Sequence, residues 1–350
     1  VEGVAMNAVR RLRAGLRGWG GVGAMAVLCA LAVVFALVLP VSGTRGDGVT
    51  GTGSQGVARG TQARADDCKE KSDPQNRSLS PSSDESGKTI QRIKDNDYIT
   101  VGVDQNSFRW GYRDPNSTND DAQLEGFDID IVHRIAEKIL GDPDKVRFKA
   151  IPTNQRIPAL QKGTVDMVVR TMTISCDRMD EVAFSQPYFR TGQQVLAPMS
   201  STIKGYDQTL AGKTICAASG STAWDTLDAD QKSGKLPASA DITSVNPPNQ
   251  LDCLVRLQLG EVDAVVTDSA LAASQAAQDP TVRLMGEPFT TEYYGVAMNR
   301  DAKDLVRRVN QVLVDYLKDG WQESYDTWLS GTLGDNSAES RPPSPQQYSD

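Results

Sequence analysis

"LQKGTVDMVV" (residues 160–169) and "LQLGEVDAVV" (residues 257–266) repeat one pattern, L-Q-x-G-x-V-D-x-V-V, within a chain of 350 residues. In each copy a helix-like segment ends at a glycine, Gly163 or Gly260, a short turn follows, and a valine-rich run closes the stretch. Glycine just past a helix end takes the left-handed conformation without the cost that a Cβ imposes. A valine-rich run without polar alternation reads as a strand buried on both faces, as in parallel sheets. Two such units predict two similar α/β lobes, each a mainly parallel sheet flanked by helices.

Outward from the repeat, strands and helices alternate. Tyr98 to Val103 reads as a first strand, Asp128 to Leu140 as a helix, Val146 to Ala150 as a strand and Gln155 to Gln161 as a short helix. Lys213 to Ala217 opens the second lobe, and Gly295 to Asn299 is a later strand. Lys303 to Lys318 and Trp321 to Leu329 are closing helices, with Trp321, Tyr325 and Trp328 at core-facing helical spacing. The expected division is a first lobe at 88–191 plus 295–333 and a second at 192–294. Crossings fall near Thr191 to Val195 and Thr290 to Tyr294.

A net charge of −8 and a pI near 4.9 exclude a general nucleic-acid binder. The single histidine, His133, lies in an amphipathic run and leaves little room for imidazole catalysis or a zinc site. No metal or cofactor is implied.

Arg10, Arg11, Arg13 and Arg17 precede an apolar run at 22–41, long enough to span a bilayer, with residues 1–21 on the cytoplasmic side. The run reads as a membrane anchor, with a cleaved signal as the alternative, and either puts the rest of the chain outside the cytoplasm. Residues 42–87 read as a flexible tether and 334–350, with Pro342, Pro343 and Pro345, as a disordered tail. Beyond Cys29, four cysteines (Cys68, Cys176, Cys216, Cys253) face an oxidising compartment and allow three pairings.

Ligands of an open parallel sheet bind beyond the C-terminal strand ends. After the first copy of the repeat come Arg170 and Thr171, with Thr173 and Arg178 just beyond; after the second come Thr267 and Asp268. Arg178 can hold a carboxylate bidentately and Asp268 an ammonium, the two charges of an α-amino acid head group. Ser221 and Thr222, in "AASGSTAWD" (217–225), begin a helix whose free N–H groups suit an anion. Thr153 and Arg156, in "TNQRIPAL" (153–160), offer a second cation for a second carboxylate. Asp128 and Asp130 read as charges of a helix start, and Arg170 either lines the cleft or makes a structural pair.

"GFDIDIVHRIAEKI" (126–139), "NQRIPALQKGTVDMVV" (154–169), "TMTISCDRMDEVAFSQPYF" (171–189) and "LGEVDAVVTDS" (259–269), in this order, resemble the extracytoplasmic solute-binding proteins of polar amino-acid ABC transporters. The resemblance is strongest to actinobacterial glutamate-type members. It implies a type II periplasmic-binding-protein fold with two hinge crossings. It gives the ligand α-carboxylate to Arg178, Thr173 and the backbone N–H of Thr222, and the α-ammonium to Thr171 and Asp268. Thr153 and Arg156 fall at the side-chain carboxylate and Trp110 at the pocket wall. Asp104 stands where some glutamate/aspartate binders carry arginine and glutamine binders carry aspartate, which leaves glutamate versus glutamine or asparagine open unless Arg109 or Arg170 supplies the charge. Cys216 and Cys253 fall within one lobe and are paired, so that Cys68 with Cys176 would staple the N-terminal segment to the first lobe.

The expected protein is a monomer with no enzymatic activity that closes on a glutamate-like amino acid and presents it to an ABC-transporter permease. The alternatives are a tethered sensor for a membrane kinase or receptor, and a dehydratase of the same fold using Asp104 as acid.

Overall fold

Both copies of the repeat fold in the same way. Gly163 and Gly260 have φ of +63° and +72°. Their N–H groups donate to Leu160 O and Leu257 O, both at 3.1 Å. The next N–H in each copy, Thr164 or Glu261, reaches back to Ala159 O or Arg256 O at 2.9 Å. This doubly bonded helix end is what glycine at that position favours. The repeated aspartate then ties its strand to a parallel neighbour. Asp166 Oδ2 accepts from Thr100 N (2.7 Å) and Asp263 Oδ2 from Thr214 N (2.9 Å), while Asp166 N and Asp263 N donate to the carbonyls of those same threonines at 2.8 Å.

The computed structural model describes residues 73–349, apart from 115–122, 243 and 345–346. Helix α1 (Lys88–Asn96) leads into β1 (Ile99–Val103) and the small pair β2 (Asn106–Ser107) and β3 (Gly111–Tyr112). Then follow α2 (Phe127–Leu140), β4 (Val146–Ala150), α3 (Arg156–Gln161), β5 (Met167–Val168), α4 (Cys176–Met179) and β6 (Val182–Thr191). The second lobe holds β7 (Gln193–Pro198), β8 (Ile215–Cys216), α5 (Thr222–Ser233), α6 (Gln250–Gln258), β9 (Ala264–Asp268), α7 (Ser269–Gln278) and β10 (Val282–Met285). The chain returns through β11 (Glu292–Asn299), α8 (Lys303–Asp319), α9 (Trp321–Trp328) and α10 (Ser330–Leu333).

The first sheet has the order β4-β1-β5-β11-β6 and the second β10-β7-β9-β8. β4, β1 and β5 pair in parallel, and β11 runs antiparallel to both β5 and β6. In the second sheet β8 and β9 are parallel, and β7 is antiparallel to β9 and β10. Each sheet thus has one reversed strand, β11 or β7, and in each it is the first strand after the chain crosses between sheets. The ladders are therefore more mixed than valine-rich runs alone suggest.

Both faces of each sheet are covered. Ile90, Ile99, Val101, Phe127, Ile135, Val309 and Trp321 belong to a core on one face of the first sheet; Leu160, Val168, Met172 and Phe184 pack on the other. Val195, Ile215, Leu227 and Val266 lie in one core of the second lobe, and Leu196, Leu254 and Val265 in another. Cys216 and Cys253 are disulfide-bonded, joining β8 to α6. Cys176 is disulfide-bonded too; its expected partner Cys68 lies outside the described residues. Gly192 links β6 to β7, and a Cβ there would stand 2.1 Å from Thr290 O, so the two crossing segments approach closely only over glycine.

Two expectations differ from the structure. Part of the expected tether lies along α8: Ser82 N donates to Arg307 O (3.0 Å), and Asn310 Nδ2 donates to Ser78 Oγ (2.7 Å) and Leu79 O (2.6 Å). The tail expected to be disordered also makes defined contacts. Tyr348 Oη donates to Gln186 Oε1 (2.5 Å), Ser349 N to Ser78 O (2.9 Å), and Glu339 accepts from Thr191 Oγ1 (3.3 Å) and Ser269 Oγ. Single polar contacts of this kind leave no periodicity in a sequence. Among the described residues no helix is long and apolar enough to cross a membrane, and the apolar run at 22–41 lies outside them.

Asp166→Ala and Asp263→Ala remove the same tie from the two lobes. The Asp166 side chain is 9% exposed and that of Asp263 41%. Urea unfolding is expected to show losses of about 2–3 kcal/mol for Asp166→Ala and about 1 kcal/mol for Asp263→Ala, following the greater worth of a buried hydrogen bond to a charged group.

Candidate functional site

Where β5 and β9 end, three guanidinium groups are buried: Arg170 is 0% exposed, Arg156 3% and Arg178 7%. Arg156, at the first turn of α3, donates from Nε to Thr153 O (2.9 Å), from Nη1 to Arg170 O (3.3 Å) and from Nη2 to Gly220 O (3.1 Å). Arg178, on α4 with Ser175 as its N-cap, donates from Nη1 to Thr173 O (2.8 Å) and from Nη2 to the same Gly220 O (3.1 Å). Two cations of the first lobe thus converge on one carbonyl of the second. Neither has a carboxylate within 4 Å among the described residues. Burial, then the charges of Arg178 and Arg170, hold the Arg156 pKa well below its usual range; burial likewise lowers that of Arg178.

Arg170 is different. Its Nη2 pairs with Asp104 Oδ2 at 2.8 Å and meets Asn249 Oδ1 at 3.3 Å, and its Nη1 donates to Thr153 Oγ1 at 3.0 Å. Asp104 also accepts from Gln105 N (2.8 Å), Asn106 N (3.0 Å) and Ser107 Oγ (2.9 Å). Arg170 therefore makes a structural pair, and Asp104 is occupied by its own loop and that arginine. Thr153 Oγ1 in turn donates to Gln250 Oε1 (3.0 Å) across the lobes.

Thr171 has φ +42°, a left-handed conformation that is strained for a β-branched residue. Its N–H is held by Asp128 Oδ2 (2.9 Å), whose other oxygen accepts from Tyr188 Oη (2.8 Å). Asp128, in the first turn of α2, thus also fastens the loop that follows β5. Burial raises its pKa to about 7. Asp130, two residues on, accepts from Ser324 Oγ (2.6 Å) and Trp328 Nε1 (2.8 Å) and so anchors α9.

In the second lobe, Ser221 Oγ accepts from Trp224 N (3.2 Å) as a helix cap and donates to Ala218 O (2.6 Å). Asp268 accepts from Tyr294 Oη at 2.6 Å, and its pKa is raised to about 7 by burial first and by Glu292 next, against the Tyr294 bond and the charges of Arg178 and Arg156. Trp110 is fully enclosed, edge-on to Phe189 (4.8 Å) and Tyr294 (5.7 Å), with Nε1 donating to Ser274 Oγ (3.2 Å). It therefore supports the tyrosine that holds Asp268.

Sequence reading passed over Glu292. Its Oε2 accepts from Thr173 Oγ1 (2.7 Å) and Thr222 Oγ1 (2.9 Å), and its Oε1 from Gln193 Nε2 (2.5 Å) and Thr290 Oγ1 (3.4 Å). In "TTEYYG" it is a lone acid at the first position of β11, with no pattern to single it out. A cavity of about 760 Å³ lies elsewhere, lined among others by Asp73, Arg190, Tyr293, Asn336 and Arg341, and none of the predicted site residues lines it.

Residues 99–331 match the bacterial extracellular solute-binding proteins, family 3. The chain belongs to that family. The ABC transporter glutamine-binding protein GlnH of Bacillus subtilis is 36% identical over 242 residues, covering 69% of this chain and 84% of that protein. The glutamate-binding protein GluB of Corynebacterium efficiens is 28% identical, covering 72% of this chain and 84% of that protein. Among solved structures, an ancestral arginine-binding protein bound to glutamine is 34% identical with a TM-score of 0.57, over 68% of this chain and 98% of that one. An L-cysteine receptor of Neisseria gonorrhoeae shares the fold at 24% identity and a TM-score of 0.65, over 73% of this chain and 99% of that one. As in other family 3 solute-binding proteins, the fold is a two-lobed α/β one, and the family is one of binding proteins rather than enzymes.

Asp268 gives this region a measurable signature. Its carboxyl goes from 3.8 to about 7, so between those values the folded state holds a proton that the unfolded state has lost. Stability from this group is complete at low pH, falls as pH rises toward about 7 and is flat above. Asp268→Asn cannot ionise. Urea unfolding across pH 4–8 is expected to show the variant gaining on the wild type as pH rises toward about 7 and no further gain above it.

Proposed function

We propose that this protein binds an acidic amino acid, glutamate first, outside the cytoplasm and delivers it to an ABC-transporter permease by closure of its two lobes. The observation that carries the reading is the convergence of Arg156 and Arg178 on the Gly220 carbonyl. A carbonyl accepts their hydrogen bonds without cancelling their charge, the carboxylates that act on Arg178 (Asp225, Glu292 and Asp268) lie beyond ion-pair distance, and buried charge without a counter-charge in contact is costly. An anionic ligand supplies that counter-charge. Nearby, Asp268 is a carboxyl that burial keeps protonated up to about pH 7, and an arriving ammonium favours its ionised form.

An α-amino acid satisfies both demands at once. Its α-carboxylate goes to Arg178 and Thr173, with the N–H of Thr222 at the start of α5, and its ammonium to Asp268 and Thr171. A second carboxylate goes to Arg156 beside Thr153, which favours glutamate over glutamine. Aspartate follows, and the amides glutamine and asparagine come after both. The relatives named for glutamate and glutamine support the same ligand class. A dehydratase would need a free acid in the cleft, and Asp104, the candidate, is already engaged by Arg170 and three donors of its own loop.

Titration calorimetry with glutamate, aspartate, glutamine and asparagine tests this directly. Glutamate is expected to bind most tightly, and absence of binding by all four at millimolar concentration overturns the reading. Arg178→Ala is expected to weaken every ligand by at least about a hundredfold, as loss of one partner of a buried charge pair does. Arg156→Ala is expected to remove the preference for acid over amide instead.

A further inference from the structure

The bonds of Glu292 conflict with the ligand assignment. A threonine hydroxyl owns one proton. Thr173 gives its proton to Glu292 Oε2, and Thr222 gives its own to the same oxygen. Thr173 follows β5 in the first lobe, Thr222 opens α5 in the second, and Glu292 begins β11, the strand on which the chain returns. One carboxylate therefore bridges both lobes at the place where a ligand carboxylate is expected. A glutamate at the start of a strand ordinarily faces solvent or a lysine. Glu292 makes no ion pair among the described residues, and four side chains converge on its two oxygens instead.

We propose that Glu292 is a built-in competitor: its carboxylate holds the Thr173 proton that the ligand α-carboxylate needs and, through Thr222, ties the two lobes together. The proposal rests on the assignment of the α-carboxylate to Arg178 and Thr173. Once Thr173 turns its proton to the ligand, Glu292 loses that bond, and two carboxylates cannot share the one proton without mutual repulsion. Ligand therefore enters only from the fraction of molecules in which the tie is released, and apparent affinity falls by that fraction. The titratable groups around Glu292 are Asp268 at the end of β9, Tyr294 on β11 and Arg178 on α4; the other groups facing it, Gln193, Thr290, Thr173 and Thr222, are neutral. The opposite role, in which Glu292 joins Asp268 as a second carboxylate for the ammonium, predicts the opposite sign on mutation.

Two variants separate these outcomes. Glu292→Ala deletes the competitor, and Thr222→Val removes one hydroxyl while leaving the backbone N–H of residue 222 for the ligand. After circular dichroism confirms folding, calorimetry with the amino acid that the wild type binds best is expected to give both variants about three- to tenfold tighter binding. Small-angle X-ray scattering is expected to show a larger radius of gyration for both ligand-free variants than for the ligand-free wild type, and equal radii when saturated. Weaker binding by Glu292→Ala overturns the proposal and makes Glu292 a ligand of the ammonium. Unchanged affinity and unchanged scattering in both variants overturn it in favour of a purely structural side chain. If the wild type binds no amino acid, the ligand reading fails, while the scattering of the ligand-free proteins still decides whether Glu292 ties the lobes.

Discussion

In each lobe one carboxylate accepts a hydrogen bond from a backbone N–H of the neighbouring parallel strand, and the position of the site follows from that tie. Asp166 holds Thr100 and Asp263 holds Thr214, so β5 is fixed beside β1 and β9 beside β8. The residues that leave those strands are thereby fixed as well: Arg170 and Thr171 in one lobe, Thr267 and Asp268 in the other. A one-residue slip would reverse the faces of every following side chain. The paired helix-ending glycines allow the tight turn that brings each aspartate to its neighbour.

What the ties bring together is a set of buried charges, solved in three ways. Arg170 is neutralised by Asp104. Asp128 and Asp268 are accommodated by hydrogen bonds from Tyr188 and Tyr294 and by pKa values raised to about 7. Arg156 and Arg178 donate their guanidinium hydrogen bonds to backbone carbonyls only. Of these, only the third puts no carboxylate in direct contact with the charge, although Asp225, Glu292 and Asp268 act on Arg178 from beyond ion-pair distance, and this is where a ligand has most to offer. The left-handed Thr171 and its Asp128 fastener belong to the same economy, since strain at a binding loop persists only where surrounding bonds hold it.

Much of the fold could be read from local pattern. The strand at 99–103, the helices at 127–140 and 303–319 and the two repeat units depend on periodicity and a glycine, which are properties of contiguous residues. Arg178, Arg156 and Asp268 were legible because each follows or precedes a recognisable strand or helix end. Glu292, Tyr188, Tyr294 and Asn249 were not, because each meets its partner from a distant part of the chain. The docking of residues 73–87 and of the tail was hidden for the same reason, resting on single contacts such as Asn310 to Ser78 and Tyr348 to Gln186.

The sequence by itself determined two α/β units, the chemistry at their strand ends and the type of charge each presents, because helix caps, buried strands and strand-end residues are local in the chain. The tertiary structure alone decided which charges are spoken for. Arg170 became a partner of Asp104, Asp128 a fastener of Thr171, and Arg156 and Arg178 neighbours over one carbonyl. Glu292 emerged as the carboxylate between the lobes. The pairing of a buried charge depends on three-dimensional distance and on exclusion of water, and neither is written in the order of residues.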